Sequence, residues 1–178
     1  RYEVCNHRYT ALTDGAHGAA VLNDGKYGVN VVENEIRLTL LRSAMMPDQN
    51  ADRGVQQFAY AFYPFDGAFQ DSDVPHVATE FNESSIFADL TDDLGPIFLS
   101  NAKNIIVDTI KPADTVENTL LVRAYESMGM KTTTSFQFSD RIGKVVETDM
   151  LEENPVEIQP ENVEFGSFEI KTFLLHLK

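Results

Sequence analysis

Apolar and polar residues alternate along most of this chain with a period near two, the spacing of strands that bury one face, rather than the 3.6 of helices. In "QFAYAFYPF" (57–65), Phe58, Tyr60 and Phe62 fall on one face and Ala59 and Ala61 on the other. That spacing predicts a half-buried strand with its aromatic side in the core. "NIIVDTI" (104–110) and "TLLVRAYE" (119–126) are β-branched or apolar runs bounded by turn residues. "TTTSFQFSD" (132–140) alternates Phe136 and Phe138 with Ser135, Gln137 and Ser139, and "KVVETDML" (144–151) follows a "DRIG" turn. The last run, "SFEIKTFLLHL" (167–177), keeps Phe168, Ile170, Thr172 and Leu174 on one side. Helical signals are poor. "IRLTLLRSAMM" (36–46) fits either state, but its β-branched start and the Pro47 that stops it favour strand. "SIFADL" (85–90) predicts at most a helical turn.

Short strands at close spacing with turns between them indicate an all-β fold built as a sandwich or related double sheet. The polar stretches "MPDQNADRG" (46–54) and "FDGAFQDSDVP" (65–75) read as long loops, and "TDDLGP" (91–96) as a boundary, which gives domains over 1–95 and 96–178. One connection is unusually rich. "LNDGKYG" (22–28) packs two glycines, an Asn-Asp pair, a lysine and a tyrosine between apolar runs. Locally it is a turn in which Gly25 supplies positive φ and Gly28 frees the exit. Loops on rigid β scaffolds are also where binding groups are displayed.

At 178 residues, with 43% hydrophobic and 24% charged residues, the chain can bury a core and is not of disordered composition. Its opening "RYEVCNHRYTAL" already reads as strand and has no initiator methionine, so the chain reads as a piece of something longer. A net charge of −14 disfavours nucleic acid and anionic membranes as partners, while a neutral sugar is compatible with it. No apolar run approaches the roughly 20 residues of a membrane helix. Cys5 is the sole cysteine, which excludes an intrachain disulfide and favours a reducing, cytoplasmic setting.

Chemistry-bearing patterns are sparse. His7, His17, His76 and His176 show no spacing that places two on one helix face, so no metal is assigned. Cys5 and His7 would share a strand face, but nothing marks an electropositive pocket around the thiol. With 28 acidic residues, carboxylate pairs arise by chance; "EENP" (152–155) and "DD" (92–93) read as solvated turns. "DGKYG" lacks the spacing of a phosphate-binding loop. Asn82-Glu83-Ser84 matches a glycosylation sequon, a single match of little weight.

Several ordered segments carry a resemblance: "VLNDGKYG" (21–28), "IRLTLLRSAMMPDQNADRG" (36–54), "FAYAFYPF" (58–65), "LLVRAYES" (120–127), "VVETDMLEENP" (145–155) and "FGSFEIKTFLL" (165–175). Together they resemble the C-terminal region of glycoside hydrolase family 38 α-mannosidases, whose strands include L-R-x-Y-E, E-T-D-L-L-E-x-P and F-E-I-K-T patterns. The resemblance implies a large retaining enzyme whose N-terminal α/β barrel carries an aspartate nucleophile, an acid/base aspartate and a Zn²⁺ held by His and Asp. None of that set maps onto this chain. It implies that residues 1–95 are the rear of a galactose-mutarotase-like supersandwich and 96–178 a smaller C-terminal β-sandwich, non-catalytic when isolated.

By the same resemblance two loops face the mouth of the barrel: Asn23 to Gly28, and Ala51 to Gly54. In Golgi and lysosomal members the second reads D-D-x-R-G; here Arg53-Gly54 matches the R-G and Asp52 precedes it, but Ala51 departs from the paired acids. The implied substrate-binding residues are Asn23, Asp24, Lys26, Tyr27, Asp52 and Arg53, with no catalytic or metal residue and no cofactor within this chain. The implied partners are the N-terminal barrel of the same chain and a mannose-containing oligosaccharide, and a homo-oligomer is compatible. Two rivals remain open. A self-sufficient carbohydrate-binding module would need an aromatic platform, and Phe58, Tyr60 and Phe62 alternate as core residues do. An immunoglobulin-like interaction domain would stand freely, whereas a cut-out half exposes strand edges and dimerises.

Overall fold

The computed structural model describes residues 2–85 and 96–178 and divides the chain into two compact units, Arg1–Phe87 and Ala88–Lys178. The expected boundary at 91–96 lies, except for Pro96, outside the described residues, as does the expected helical turn at 85–90 except for Ser85.

The first unit holds two three-stranded antiparallel sheets. Strands β1 (Val4–Cys5), β4 (Gly28–Val32) and β5 (Glu35–Leu38) form one, in the order β1-β4-β5. Strands β2 (Tyr9–Thr13), β3 (His17–Asn23) and β6 (Tyr60–Asp66) form the other, in the order β2-β3-β6. Helix α1 (Val74–Asn82) covers one face of the second sheet, with Val74 and Ala78 packed on Ala20 and Leu22. The 24–27 connection is therefore no hairpin; it carries the chain from one sheet into the other.

Three expectations for this unit change. The β6 aromatics turn the other way: Ala61, Tyr63 and Phe65 pack towards the helix, while Tyr60 and Phe62 are 59% and 72% exposed. A period of two assigns residues to faces without saying which face is buried. Here the helix decides it, because close approach to Ala20 and Ala78 takes the face that carries the small Ala61. The 65–75 loop also holds structure, a 3₁₀ turn at Phe69–Asp71 and then α1, which has Pro75 in its first turn. The strand expected over 36–46 ends at Leu38. Gly18 is required by packing, since a Cβ there would lie 2.2 Å from the Phe65 ring and 2.8 Å from the Leu12 carbonyl.

In the second unit a five-stranded sheet runs β13 (Val156–Glu157), β12 (Ile142–Thr148), β15 (Ile170–Leu177), β9 (Thr119–Glu126) and β8 (Ile105–Pro112). Two short pairs accompany it: β7 (Phe98–Ser100) with β11 (Phe136–Phe138), and β10 (Thr132–Thr134) with β14 (Val163–Phe165). Buried Phe98, Phe136, Phe165 and Phe173 join these layers, with ring centroids 4.5 to 6.5 Å apart. Such pairs add to the transfer of apolar area from water that holds the two layers together. This is the expected all-β, sandwich-like class.

Two carboxylates in this unit are structural. Glu126 is fully buried and accepts from the backbone amides of Met128, Gly129, Met130 and Phe168 and from Asn104 Nδ2. Glu152, expected in a solvated turn, has a side chain only 5% exposed. It accepts from Lys111 Nζ at 3.0 Å, from the Asp114 and Thr115 amides and from Thr115 Oγ1, which ties the 149–155 turn to the end of β8. Burial pushes its carboxyl up, but Lys111 and the donors of Thr115 and Asp114 outweigh that and bring it down to about 2. A carboxyl depressed in the fold stabilises above its ordinary value and loses that contribution as pH falls through the folded one. Urea midpoints of the wild type should therefore decline between pH 5 and 2.5, and Glu152→Gln should flatten the decline.

Candidate functional site

The site grows out of the 23–28 connection. Asn23 ends β3 with its side chain fully buried. Its Oδ1 accepts from the Gly25 amide at 3.2 Å and the Lys26 amide at 2.8 Å, an Asx turn. Its Nδ2 donates to Asn6 Oδ1 at 2.8 Å, and Asn6 Nδ2 donates in turn to the carbonyls of Lys26 and Tyr27 at 3.1 and 3.0 Å. Asn82, the sequon residue on α1, donates to the Asn23 carbonyl. Two asparagine side chains thus clamp the loop from inside while Gly25, at φ +104°, turns the chain. Asn23 is corrected from ligand-binding residue to anchor, because its side chain is out of solvent with both Oδ1 and Nδ2 engaged inside the fold.

Asp24 is exposed, but its Oδ2 accepts from the Ala59 amide at 2.8 Å and the Asp24 amide donates to the Ala59 carbonyl at 3.2 Å. It fastens the loop to the segment entering β6. Lys26 lies over the Phe58 ring, Nζ 4.4 Å from the centroid. Tyr27 is half exposed and stacks on His7 with the rings 5.9 Å apart and 4° from parallel. Its hydroxyl has no hydrogen-bond partner among the described residues.

The second loop approaches the first. Asp52 Oδ2 accepts from the Ser43 amide at 2.7 Å and the Arg42 amide at 3.2 Å, closing the 42–52 loop on itself. These bonds hold its carboxyl below the ordinary value; burial opposes them, and the positive charge of Lys26 adds to them. Arg42, in the second loop, lies 3.8 Å from Glu3, and Glu3 lines one groove with Tyr27 and Gly28, which brings the two loops to one place. Asp52 is a fastener, like Asp24. Arg53 is exposed, and its guanidinium has no ion-pair or hydrogen-bond partner among the described residues. Beside Tyr27 a groove of about 340 Å³ is lined by Glu3, Val4, Cys5, Tyr27 and Gly28.

Of six residues read from the sequence, Lys26, Tyr27 and Arg53 present free chemistry, and Asn23, Asp24 and Asp52 hold them in place. Sequence reasoning missed Asn6, whose role depends on a partner 17 positions away. The histidines are dispersed: His17 faces Asp66 at 3.0 Å, His176 meets Thr119 at 3.1 Å and His7 backs Tyr27. Among the described residues no group of three or more His, Cys, Asp or Glu could hold a metal ion. The donor set that Zn²⁺ requires is not assembled by these residues.

Residues 1–50 match the model of the glycosyl hydrolases family 38 C-terminal domain, and residues 104–173 match that of the family 38 C-terminal beta sandwich domain. The chain belongs to glycosyl hydrolase family 38, as its C-terminal region. Alpha-mannosidase G of Dictyostelium discoideum is 33% identical over 97% of this chain and 17% of its own length. The alpha-mannosidase of Saccharomyces cerevisiae is 33% identical over 85% of this chain and 16% of its own, and mouse alpha-mannosidase 2C1 is 30% identical over 100% and 18%. This family 38 chain thus spans less than a fifth of the length of these relatives. A crystal structure of an alpha-mannosidase from Enterococcus faecalis shares the fold, with a TM-score of 0.73 and 18% identity over 97% of this chain and 21% of that one. No helix among the described residues of this family 38 region is long and apolar enough to cross a membrane.

Proposed function

We propose that this region serves an enzyme that hydrolyses α-mannosides and that its 23–28 and 42–54 loops line the mouth of an active site carried elsewhere in the same polypeptide. The carrying observation is the convergence of the two loops. Arg42 of the second loop lies 3.8 Å from Glu3, which shares a groove with Tyr27; Arg53 has no partner among the described residues, and Tyr27 stands half exposed on His7. Arginine and tyrosine suit sugars, since the guanidinium donates to hydroxyls in a fixed fork and the phenol stacks on a pyranose face. The reaction proper, with its paired carboxylates and any Zn²⁺, belongs to an N-terminal barrel in this reading, and this chain contributes positioning. A cytoplasmic setting accompanies it, supported by the single exposed Cys5.

Two assays test the reading. The 178-residue chain should leave an aryl α-mannoside intact; cleavage by the pure chain sinks the division of labour. In the polypeptide that contains barrel and region together, Arg53→Ala should lower kcat/KM for α-mannosides about tenfold, the size of one lost charge-assisted hydrogen bond. An unchanged value removes Arg53 from the site.

A free-standing carbohydrate-binding module is the second reading, favoured by the exposure of Tyr60 and Phe62. Their cross-strand neighbours weaken it: Val21 lies opposite Phe62 and Ala19 opposite Pro64, so that stretch of the face is aliphatic and short of groups that bond hydroxyls.

A further inference from the structure

The groove beside Tyr27 contains a group that neither the loop motifs nor the family comparison singles out. Glu3 lines it together with Val4, Cys5, Tyr27 and Gly28. The Glu3 carboxylate is fixed from behind: Thr39 Oγ1 donates to its Oε1, and an Arg42 guanidinium nitrogen lies 3.8 Å from its Oε2. Its side chain keeps 30% of its surface exposed, so lone pairs remain for a ligand. Tyr27 lines the same groove, held by the His7 stack and by the Asn6 bonds to the carbonyls of Lys26 and Tyr27. Gly28 makes room for the Glu3 carboxylate, for a Cβ there would lie 2.7 Å from Glu3 Oε1 and 3.2 Å from Thr39 Cβ.

An aromatic ring and a carboxylate lining one groove make a specific chemical demand. The ring face accepts the C–H side of a pyranose, and the carboxylate accepts from two neighbouring hydroxyls, each bond strengthened by the charge. An anionic ligand would meet the negative charge of Glu3, and an apolar one would strip water from that charge without replacing it. We propose that this groove is a subsite for one neutral pyranose unit of the substrate, with Glu3 as hydroxyl acceptor and Tyr27 as stacking wall. The proposal rests on the reading that the 23–28 loop faces sugar.

Cys5 supplies a reporter, since it is the only cysteine of the chain, is exposed and lines the groove. The polypeptide that contains barrel and region together is alkylated with iodoacetamide at increasing methyl α-mannopyranoside, and the rate at Cys5 is followed by mass spectrometry. Saturable slowing of at least threefold in the wild type is expected. In Glu3→Gln the half-protecting sugar concentration should rise about tenfold, as for one charge-assisted hydrogen bond. Tyr27→Ala should abolish protection, with circular dichroism confirming that each variant is folded. If either fails to fold, Gly28→Ser, which fills the groove, takes its place, and protection must again disappear. An unchanged Cys5 rate, or equal protection in wild type and Glu3→Gln, overturns the subsite. Amide resonances separate the two ideas in the same titration. Shifts at Lys26 and Arg53 without Cys5 protection leave the loop reading standing and remove the groove; no response anywhere removes both.

Discussion

Replacing Glu126 with alanine should destabilise the second unit by about 4 kcal/mol, because five donors lose one acceptor at once and each buried donor left unpaired costs about 1 kcal/mol or more. The four backbone amides among them belong to 128–130 and to Phe168, so one carboxylate fixes two segments far apart in sequence. Water can re-bond some donors in the space vacated, which keeps the figure below the full sum. Burial raises the Glu126 carboxyl, yet the bonds from Phe168, Asn104, Met128 and Gly129 outweigh it and leave it below its ordinary value. The contribution is complete above the ordinary carboxylate range and is lost as pH falls through the folded value. Urea unfolding at pH 7, with hydrogen exchange at Met128 and Gly129, measures it; a change under 1 kcal/mol with protection intact would show the network to be replaceable.

Asn23→Ala should cost the first unit about 3 kcal/mol and release the loop it anchors. The truncation strands the amides of Gly25 and Lys26 and the Oδ1 of Asn6, three polar groups in or near the interior. Asn23→Asp is nearly isosteric, but its second oxygen would face Asn6 Oδ1, acceptor against acceptor, so it should recover little. Faster amide exchange at 25–28 should accompany the lower urea midpoint. Stability lost without faster exchange would mean that Asp24, Ala59 and Asn6 hold the loop without Asn23. The prediction also bears on function, since Tyr27 and Lys26 hang from the same anchor.

How legible was all this? The strand at 119–126 could be read in full because Leu121, Val122 and Ala124 are all buried, and a strand covered on both sides is a nearly continuous apolar run. Helix α1 was hidden because its apolar set of Val74, Val77, Ala78 and Phe81 is short and opens next to Pro75 after an acidic loop, which reads as punctuation. The β6 alternation is legible in the sequence but its inward side is not, because both sides carry aromatics and only the helix chooses between them. In the site, Tyr27 and Arg53 were visible as a motif within continuous segments. Asn6 and Glu3 were not, since each acts across a gap of 17 or more residues that no local pattern records.

Gly18 constrains how this lineage can drift. Any side chain at that position collides with the Phe65 ring, and the adjacent Leu12 carbonyl blocks it as well. Trimming the ring relieves the first collision and leaves the second, so no one compensating replacement opens the position to another amino acid. Changes accumulating in the neighbouring strands must therefore accommodate that glycine, whatever else varies around it.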